Sequence, residues 1–363
     1  MKRLMIKISM LLISVLIYCS GCRKDNITYN FDYKIVQQAD LTNLLMFYDG
    51  PNIIGLDTTD FTIKAQIRVD DMSFGGVAKL PSGGVAFTYS RRASNDGWGS
   101  LLYVTDRNCN LVNRYKICYS PMGPKVVNNL LMVGSSEIES GVKFKFQIYN
   151  TDNYSLLKEF QFEDMADSYQ ITAWNNDIYF GVNPTGFFEN NNYHPKNGYI
   201  VQLDLSTFDT TLIMKNDTNL LDAYSTVYRQ DSLLYIFKTI QKKIFVYNFS
   251  TKSVTHIAKV NEYPEVVKIN ALRISSPYYK DGYLYGFFEN DGYYNQQTYW
   301  AKFNASTLEL ISLKQVNSPG DYGYAEFYAG SYFVMQFYNH YVSFVDIKTG
   351  VVKNSFIFKV KGY

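Results

Sequence analysis

Apolar and polar residues alternate along most of the chain in short runs, which is the pattern of half-buried β-strands. Many of these runs end in Asp or Asn, followed by two variable residues and a second strand-like run, as in LLYVTDRNC and IVQLDLST. An Asp or Asn side chain at such a place bonds its own backbone two residues further on, so each phrase predicts a β-hairpin with a tight turn. The turn residues are Asp57, Asp106, Asn150, Asp204, Asn248, Asn304 and Asp346.

These turn residues recur at a nearly constant interval. Their spacings are 49, 44, 54, 44, 56 and 42 residues. An upstream strand such as GGVAFTYS or DGYLYGFFE precedes each hairpin, and a further strand such as NALRIS precedes that one. Each repeat therefore predicts four antiparallel strands, A to D in chain order. Strand repeats of about 40–50 residues are typical of propeller blades. We expect an all-β, seven-bladed β-propeller, or six blades if one phrase is not a turn.

The phrase also resembles a known repeat. The strand-Asp-x-x-Thr-strand pattern, clearest in FVDIKTGVV, resembles the repeats of YVTN-type and quinoprotein-like β-propellers, and many Bacteroidetes lipoproteins share this layout. The resemblance covers about residues 29–360 and implies a fold but no catalytic residue. The Trp docking motif of quinoprotein repeats and the Trp-Asp pair of WD40 repeats are absent. Residues 29–36 fit either the inner strand of the first blade or a closing strand on the last.

The N-terminus has the pattern of an export signal. Basic residues come first, and an apolar run follows from Ile8 to Tyr18. This run of 11 residues is about half of the ~20 needed to span a bilayer, so a signal peptide is favoured over a membrane anchor. The small pair before Cys22 resembles the bacterial lipobox, which implies cleavage there and lipidation of the Cys22 thiol. An ordinary secretory signal is the alternative.

The expected organisation follows from that cleavage site. Residues 1–21 are the lipoprotein signal peptide, 22–28 are the lipidated Cys with a short tether, and 29–363 are a single propeller domain. Arg23 stands where the inner-membrane retention signal of such lipoproteins has Asp, which implies sorting to the outer membrane. We therefore expect a lipid-anchored protein on the periplasmic face or the cell surface.

Composition and charge exclude other classes. The chain is 47% apolar and 17% aromatic, enough to bury a large core, so disorder is excluded for the whole. Formal charge is +2, from 35 basic and 33 acidic residues. Loss of Lys2, Arg3 and Lys7 with the signal peptide leaves 32 basic residues against 33 acidic ones. A general nucleic-acid binder carries a basic excess, so nucleic acid is not an expected partner.

The strand order predicts where ligands bind. The A–B and C–D turns emerge on one face, here the turn face, and the B–C and D–A connections on the other, the loop face. The longest predicted B–C connections span about 90–99, 183–198 and 289–297, and long loops on a rigid scaffold often carry binding residues. Their aromatic residues beside Asn, Glu and Arg suit sugar rings and sugar hydroxyls. Packing of these aromatics against neighbouring loops is the alternative.

Strand A is expected to line the central channel. It carries Lys79, Lys125, Arg229 and Arg273 against the single acid Glu326. This excess favours an anionic ligand such as a uronate, a sulfated sugar or a ferric catecholate, unless the cations pair with acids of adjacent blades. The predicted ligand-binding residues on both features are Tyr89, Arg91, Arg92, Trp98, Phe187, Phe188, Glu189, Tyr193, His194, Arg229, Arg273, Phe288, Glu289, Asp291, Tyr293 and Tyr294.

Motifs for metal or covalent chemistry are absent from the sequence. The three His are scattered without metal-ligand spacing, and no Gly-x-Ser-x-Gly, P-loop or dinucleotide motif occurs. We predict no metal, cofactor or catalytic residue. The enzymatic alternative is a glycosidase or lyase that uses the loop carboxylates Asp96, Glu189, Glu289 and Asp291. Cys109 and Cys118 flank a predicted strand that holds them about 30 Å apart, too far for a disulfide.

The expected function is therefore non-catalytic capture. The propeller binds a glycan or another small ligand, and an outer-membrane transporter is the expected partner. The alternatives are the carbohydrate-active enzyme above and a protein-binding scaffold of the envelope.

Overall fold

The computed structural model describes residues 33–69, 73–92, 98–117, 119–121, 123–137, 143–162, 171–182, 187–189, 192–194, 199–214, 226–238, 243–269, 271–274, 278–290, 297–316, 323–337 and 341–357. The compact unit that holds the fold spans Lys34–Tyr363. A separate unit spans Met1–Tyr33, of which only Tyr33 is described.

Seven four-stranded antiparallel blades form a ring, so the predicted all-β, seven-bladed propeller is confirmed. Blade 1 contains β1 (Tyr33–Gln37), β2 (Leu45–Asp49), β3 (Asn52–Asp57) and β4 (Thr62–Val69). Blade 2 contains β5 (Ser73–Lys79), β6 (Val85–Arg92), β7 (Trp98–Thr105) and β8 (Leu111–Ile117). Blade 3 contains β9 (Tyr119–Pro121), β10 (Lys125–Val127), β11 (Leu130–Glu137), β12 (Lys143–Asn150) and β13 (Leu156–Phe162).

The remaining blades follow in chain order. Blade 4 contains β14 (Ile171–Trp174), β15 (Asp177–Val182), β18 (Tyr199–Asp204) and β19 (Thr210–Ile213), with the separate ribbon of β16 (Phe187–Glu189) and β17 (Asn192–His194). Blade 5 contains β20 (Thr226–Gln230), β21 (Leu233–Lys238), β22 (Lys243–Asn248) and β23 (Ser253–Lys259). A 3₁₀ turn (Val260–Glu262) and helix α1 (Pro264–Lys268) lead to blade 6, which contains β24 (Ala271–Ile274), β25 (Tyr278–Lys280), β26 (Tyr283–Asn290), β27 (Thr298–Asn304) and β28 (Leu310–Gln315). Blade 7 contains β29 (Gly323–Ala329), β30 (Tyr332–Phe337), β31 (Tyr341–Asp346) and β32 (Val352–Ile357).

The predicted tight turns are confirmed. In six of them the Oδ1 atom of the turn residue accepts a hydrogen bond from the amide two residues on, and in the turn at Asp346 from the amide three residues on. Asn304 Oδ1, for example, accepts from the amide of Ser306 at 2.9 Å and from its hydroxyl at 2.7 Å. At Asp204 the equivalent bonds from Ser206 hold the pKa of the carboxyl below its usual range. Each turn therefore has its own side-chain lock.

Each hairpin also contains a residue in the left-handed backbone region, which the sequence did not reveal. Four residues after the turn Asp or Asn stand Phe61, Tyr154, Phe208, Lys252, Leu308 and Gly350, all with φ between 52° and 67°. Left-handed backbone costs an L-residue about 1–2 kcal/mol. Packing offsets this cost where the side chain is apolar: the Phe61 ring lies 5.3 Å from that of Phe344 in blade 7.

Blade 1 departs from the repeat. Its sheet order is β1-β4-β3-β2, and the Asp57 turn joins β3 to β4, so β2, β3 and β4 correspond to strands B, C and D. Strand β1 pairs with β4 on the far side from β2. The sequence allowed two places for residues 29–36, the inner strand of the first blade or a closing strand on the last blade. Strand β1 occupies neither of them, because it pairs with β4. Within the described ranges, no strand occupies position A of blade 1.

Successive blades are held by apolar faces of their B and C strands. Between blades 3 and 4 the rings of Phe146 and Phe180 stack at 4.9 Å, and between blades 6 and 7 those of Phe287 and Phe333 stack at 3.6 Å. The ring closes between blades 7 and 1 through a cluster that includes Phe47. Successive side chains of a strand point to opposite faces of the sheet. Alternate residues therefore pack on the preceding blade, and the residues between them pack on the following blade.

Cys109 lies in the second tight turn. It is fully buried, and its Sγ contacts the carbonyl oxygen of Ala39 at 3.7 Å. Burial raises the pKa of this thiol. Cys118 lies outside the described residues, so the predicted lack of a bridge between them stays a prediction.

The lock at Asn304 gives a test of turn stability. Asn304→Ala removes the acceptor of three hydrogen bonds and should lower the free energy of unfolding by about 1–2 kcal/mol. Urea unfolding followed by circular dichroism measures the change. The control Asn304→Asp keeps the acceptor oxygen and should stay near the parent value. An equal loss in both variants would contradict the assigned lock.

The left-handed residue at Lys252 gives a second test. Lys252 is exposed and has φ 52°, so its side chain gains little packing to offset the backbone cost. Lys252→Gly should raise the free energy of unfolding by about 1 kcal/mol, because glycine adopts this backbone without the steric cost. Lys252→Ala retains the Cβ and should show no gain. A gain with Ala equal to that with Gly would point to the loss of charge instead.

Candidate functional site

The loop face carries B–C connections of unequal length. In blades 2 and 6 the strands extend further than predicted, and the connections shrink to 93–97 and 291–297. The prediction of long loops over 90–99 and 289–297 is therefore wrong at its boundaries, because strand pairing continues to Arg92 opposite Trp98 and to Glu289 opposite Thr298. In blade 4 the connection spans 183–198 as predicted.

The blade 4 connection contains a two-stranded ribbon that the sequence did not reveal. Strands β16 and β17 pair antiparallel, with Phe187 opposite His194, Phe188 opposite Tyr193, and Glu189 opposite Asn192. Five predicted ligand-binding residues thus lie on one short ribbon, and their pairing places them next to one another. The Asn-Asn pair at 190–191 between two aromatic-rich triplets was the available signal, since such dipeptides favour two-residue hairpins.

Tyr89 has a different role from the one predicted. It lies in β6 and is fully buried, with its ring 5.7 Å from that of Phe87 and 6.2 Å from that of Tyr103. Its hydroxyl donates to the carbonyl oxygen of Pro51 at 3.0 Å, which ties blade 2 to blade 1. Burial raises the pKa of Tyr89. The expectation that it lies in an exposed loop is wrong.

The other predicted residues of blade 2 lie at strand ends on the loop face. Arg92 is opposite Trp98, and Arg91 is opposite Gly99, as the last two pairs of the β6–β7 ladder. Their predicted placement in a loop is wrong, because the ladder includes them. Their position at the loop face agrees with the prediction.

The predicted residues of blade 6 likewise divide between the core and the loop end of the blade. Phe288 lies in β26, fully buried in the cluster between blades 5 and 6, with its ring 6.2 Å from that of Phe303. It is a core residue, and its predicted exposure is wrong. Glu289 follows it and is opposite Arg273 of β24, so two predicted residues meet at the loop end of this blade.

Arg229 lies at the turn face, away from these residues. It precedes the A–B turn of blade 5, and its guanidinium carbon is 3.7 Å from the ring centre of Phe249 and 5.5 Å from that of Tyr179 in blade 4. Desolvation lowers its pKa, while burial raises the pKa of Tyr179 to about 12. Arg229 therefore packs between two blades as a cation–π partner.

The two inner-strand lysines also lie near the turn face. Lys79 ends β5, and its Nζ donates to the carbonyl oxygen of Thr42. Lys125 pairs with Met132 beside the A–B turn of blade 3. Both side chains keep solvent access, and desolvation lowers the pKa of each.

Several predicted residues lie outside the described residues: Cys22, Asp96, Asp291, Tyr293 and Tyr294. Of the inner-strand acid Glu326, the structure describes only its place in β29, opposite Met335. Within the described ranges, no group of three or more His, Cys, Asp or Glu residues could hold a metal ion. No helix in the described part of the chain is long and apolar enough to cross a membrane.

Two buried hydroxyls were missed at the sequence level. Ser100 and Ser135 are 1% and 0% exposed, and neither Oγ atom has a hydrogen-bond partner within the described structure. They could have been found by aligning the repeats on their turn residues. In that alignment Phe144 and Val182 stand one blade further along, at the positions of Ser100 and Ser135.

Comparison with known proteins supports the fold. The chain is similar to the computationally designed protein Ika8, with 10% identity, a TM-score of 0.50, and 89% of this chain and 87% of that one covered. It is also similar to the dihydro-heme d1 dehydrogenase NirN, solved in complex with DHE, with 12% identity, a TM-score of 0.51, and 87% and 73% coverage. At this identity the likeness shows the fold alone.

A third similar structure is BamB from Moraxella catarrhalis, with 13% identity, a TM-score of 0.48, and 90% and 92% coverage. No protein-family model matches the chain, and no curated protein matches it.

Proposed function

We propose that the protein is a lipid-anchored β-propeller of the cell envelope that binds a glycan at its loop face without catalysing a reaction. The observation that carries this proposal is the ribbon at 187–194. It brings Phe187, Phe188 and Tyr193 together with Glu189 and His194 on the face where binding loops are expected. Aromatic rings that stack on sugar C–H faces, beside groups that bond hydroxyls, are the usual chemistry of glycan recognition.

The inner strands do not supply the basic excess at the loop face that would attract an anionic glycan. Of the four inner-strand cations expected to attract an anion, Lys79, Lys125 and Arg229 lie toward the turn face. Only Arg273 lies toward the loop face, and it is opposite Glu289. This pair therefore gives the face one cation and one carboxylate, in addition to Arg91 and Arg92 at the end of the β6–β7 ladder.

Delivery of the bound glycan to an outer-membrane transporter would explain the anchor. The lipobox-like sequence before Cys22 supports attachment to a membrane, and Arg23 supports the outer one. A propeller tethered by six residues, 23–28, would stay close to the membrane surface while its loop face collects ligand.

A thermal-shift screen tests binding. The purified protein is heated with neutral oligosaccharides, uronate oligosaccharides, haem and ferric siderophores. A neutral oligosaccharide at 100 times its Kd should stabilise the fold by about 2.7 kcal/mol. The double variant Phe188→Ala/Tyr193→Ala should abolish the shift, because it removes one cross-strand aromatic pair of the ribbon.

The matched control is Leu156→Ala/Leu157→Ala. It also removes two apolar side chains from adjacent strand residues, which are 49% and 42% exposed beside a turn on the opposite face. This control should bind like the parent. A shift that survives in the ribbon variant, or is lost in the control, would contradict the assigned face, and silence across the whole panel would contradict glycan capture.

The lipid anchor has its own test. Metabolic labelling with an alkyne-bearing fatty acid should tag the parent protein, whereas Cys22→Ser should be untagged and should leave the membrane fraction. Cys118→Ser serves as the control and should label fully. Equal labelling of the parent and Cys22→Ser would exclude lipidation at this residue.

One observation favours a second candidate function, a protein-binding scaffold. Leu111 and Val112 on β8 and Leu156 and Leu157 on β13 are 41–51% exposed on the outer strands of two adjacent blades. Exposed apolar residues that form a continuous patch are typical of protein interfaces. A pull-down from the native membrane that recovers a partner with the parent but not with Leu156→Ala/Leu157→Ala would support the scaffold.

A further inference from the structure

Blade 1 carries a strand at a position that the other blades leave open among their described residues. Its strands β2, β3 and β4 follow the repeat, and β1 adds to the outer edge of β4. The end of β1 is held against the start of β4, because Gln37 Nε2 donates to the carbonyl oxygen of Ile63 at 3.2 Å. The outer edge of a blade in this fold can therefore pair with an additional strand.

The β4 residues that face β1 follow from the hydrogen-bond pattern of the hairpin. The amide of Val69 donates to the carbonyl oxygen of Pro51, beside β3. In an antiparallel pair, alternate residues direct their N–H and C=O groups to one side, and the residues between them direct theirs to the other. Gln66 and Arg68 therefore direct their backbone groups away from β3 and toward β1.

The hairpin of blade 3 has the same register as that of blade 1. Gln66 and Arg68 stand nine and eleven residues after the turn residue of blade 1, and Glu159 and Gln161 stand nine and eleven residues after that of blade 3. The amide of Asn150 donates toward the outer strand, so the even-numbered residues of β12 bond β13. Glu159 and Gln161 lie opposite odd-numbered residues, and their N–H and C=O groups therefore point outward.

This outer edge is open and weakly protected. Among the described residues, no strand pairs with it, since the sheet of blade 3 ends at β13. Free charged side chains, Lys in particular, commonly protect edge strands. Here Glu159 accepts from Gln147 Nε2 at 2.7 Å and lies 3.9 Å from Lys145 Nζ, while Lys158 Nζ lies 5.7 Å from the ring centre of Phe160. Both charges of β13 are thus engaged within the blade.

The surface along β13 is apolar. Leu156 and Leu157 are exposed at its start, and Phe160 and Phe162 pack half-buried on the cluster between blades 3 and 4. The outer strands β19, β23 and β28 each expose one large aliphatic residue among their described residues. Strand β8 exposes two, but its hairpin is one residue shorter and its register differs from that of blade 1. Blade 3 therefore combines the register of blade 1 with the larger apolar edge.

We propose that the outer edge of β13 is a docking site for an extended segment of a partner protein, which pairs with Glu159 and Gln161 and adds to blade 3 as β1 adds to blade 1. The segment carries apolar residues at alternate positions, because one of its faces covers Phe160 and Phe162. Main-chain hydrogen bonds supply affinity in such complexes, and alternate side chains supply specificity. This inference gives the binding mode of the protein-binding scaffold, the second candidate above, and does not depend on glycan binding.

A peptide with the sequence of β1 tests the edge, because this strand already pairs with the equivalent edge of blade 1. The fluorescein-labelled peptide of residues 32–38 is titrated with the purified protein, and fluorescence anisotropy measures binding. We expect saturation with a Kd below about 1 mM. Gln161→Pro removes the outward N–H and leaves the ladder to β12 intact, so it should weaken the peptide about tenfold or more. The matched control Gln161→Ala keeps the N–H and should bind like the parent.

Two methylated peptides give a second measurement that needs no protein variant. They carry an N-methyl group on the backbone at Ile35 or at Val36. In an added strand, one of these adjacent N–H groups faces β13 and the other faces away. One methylated peptide should therefore lose binding while the other retains it, and an equal effect of the two would exclude strand pairing.

The remaining outcomes separate the occupants. No saturable binding, or binding that is unchanged in Gln161→Pro, would overturn the docking site. An equal loss in Gln161→Ala would mean recognition of the side chain and would overturn strand addition. A dimer of the parent in light scattering that Gln161→Pro abolishes would assign the edge to a second copy of this chain. The thermal-shift screen with oligosaccharides is unaffected by each of these results, so glycan capture is decided separately.

Discussion

Apolar packing between the faces of successive blades is the constraint on which this structure depends. A four-stranded blade buries little by itself, and each face becomes part of a core only when a neighbour covers it. The stacked pairs Phe146–Phe180 and Phe287–Phe333 show how directly one blade's strands contact the next. Because every blade needs two neighbours, the sheets must close into a ring, and the cluster around Phe47 between blades 7 and 1 completes it.

The two faces of the ring differ in how their connections are built. On the turn face, every hairpin is locked by its own Asp or Asn side chain, and the residue four positions later often inserts an apolar side chain between blades, as Phe61 and Leu308 do. Arg229 also packs between two blades on this face, with its guanidinium over the rings of Phe249 and Tyr179. Among the described residues the loop face shows no such repeated device, and its connections differ in length, with the ribbon of blade 4 as the clearest example.

The requirement for apolar faces also makes the interface between blades 2 and 3 informative. A position that is Phe or Val at one interface and Ser at the next departs from the apolar packing of its neighbour, as Phe144 and Val182 against Ser100 and Ser135 show. Departures of this kind tend to occur where function, and not stability, selects the residue. The same logic applies to blade 1, where β1 covers the outer edge and the chain departs from the A-to-D order.

The sequence by itself determined the repeat, the strand type, the seven turns and the face from which the long connections emerge, because all of these follow from local periodicity and turn chemistry. It did not determine which aromatic residues are exposed. Tyr89 and Phe288 lie in aromatic-rich segments of the kind predicted to bind ligand, and both are core residues. Burial depends on whether a strand ladder extends one or two residues further, as it does to Arg92 opposite Trp98. The burial of Tyr89 and Phe288 also depends on neighbouring blades, through Pro51 of blade 1 and the cluster between blades 5 and 6, so only the tertiary structure decided it.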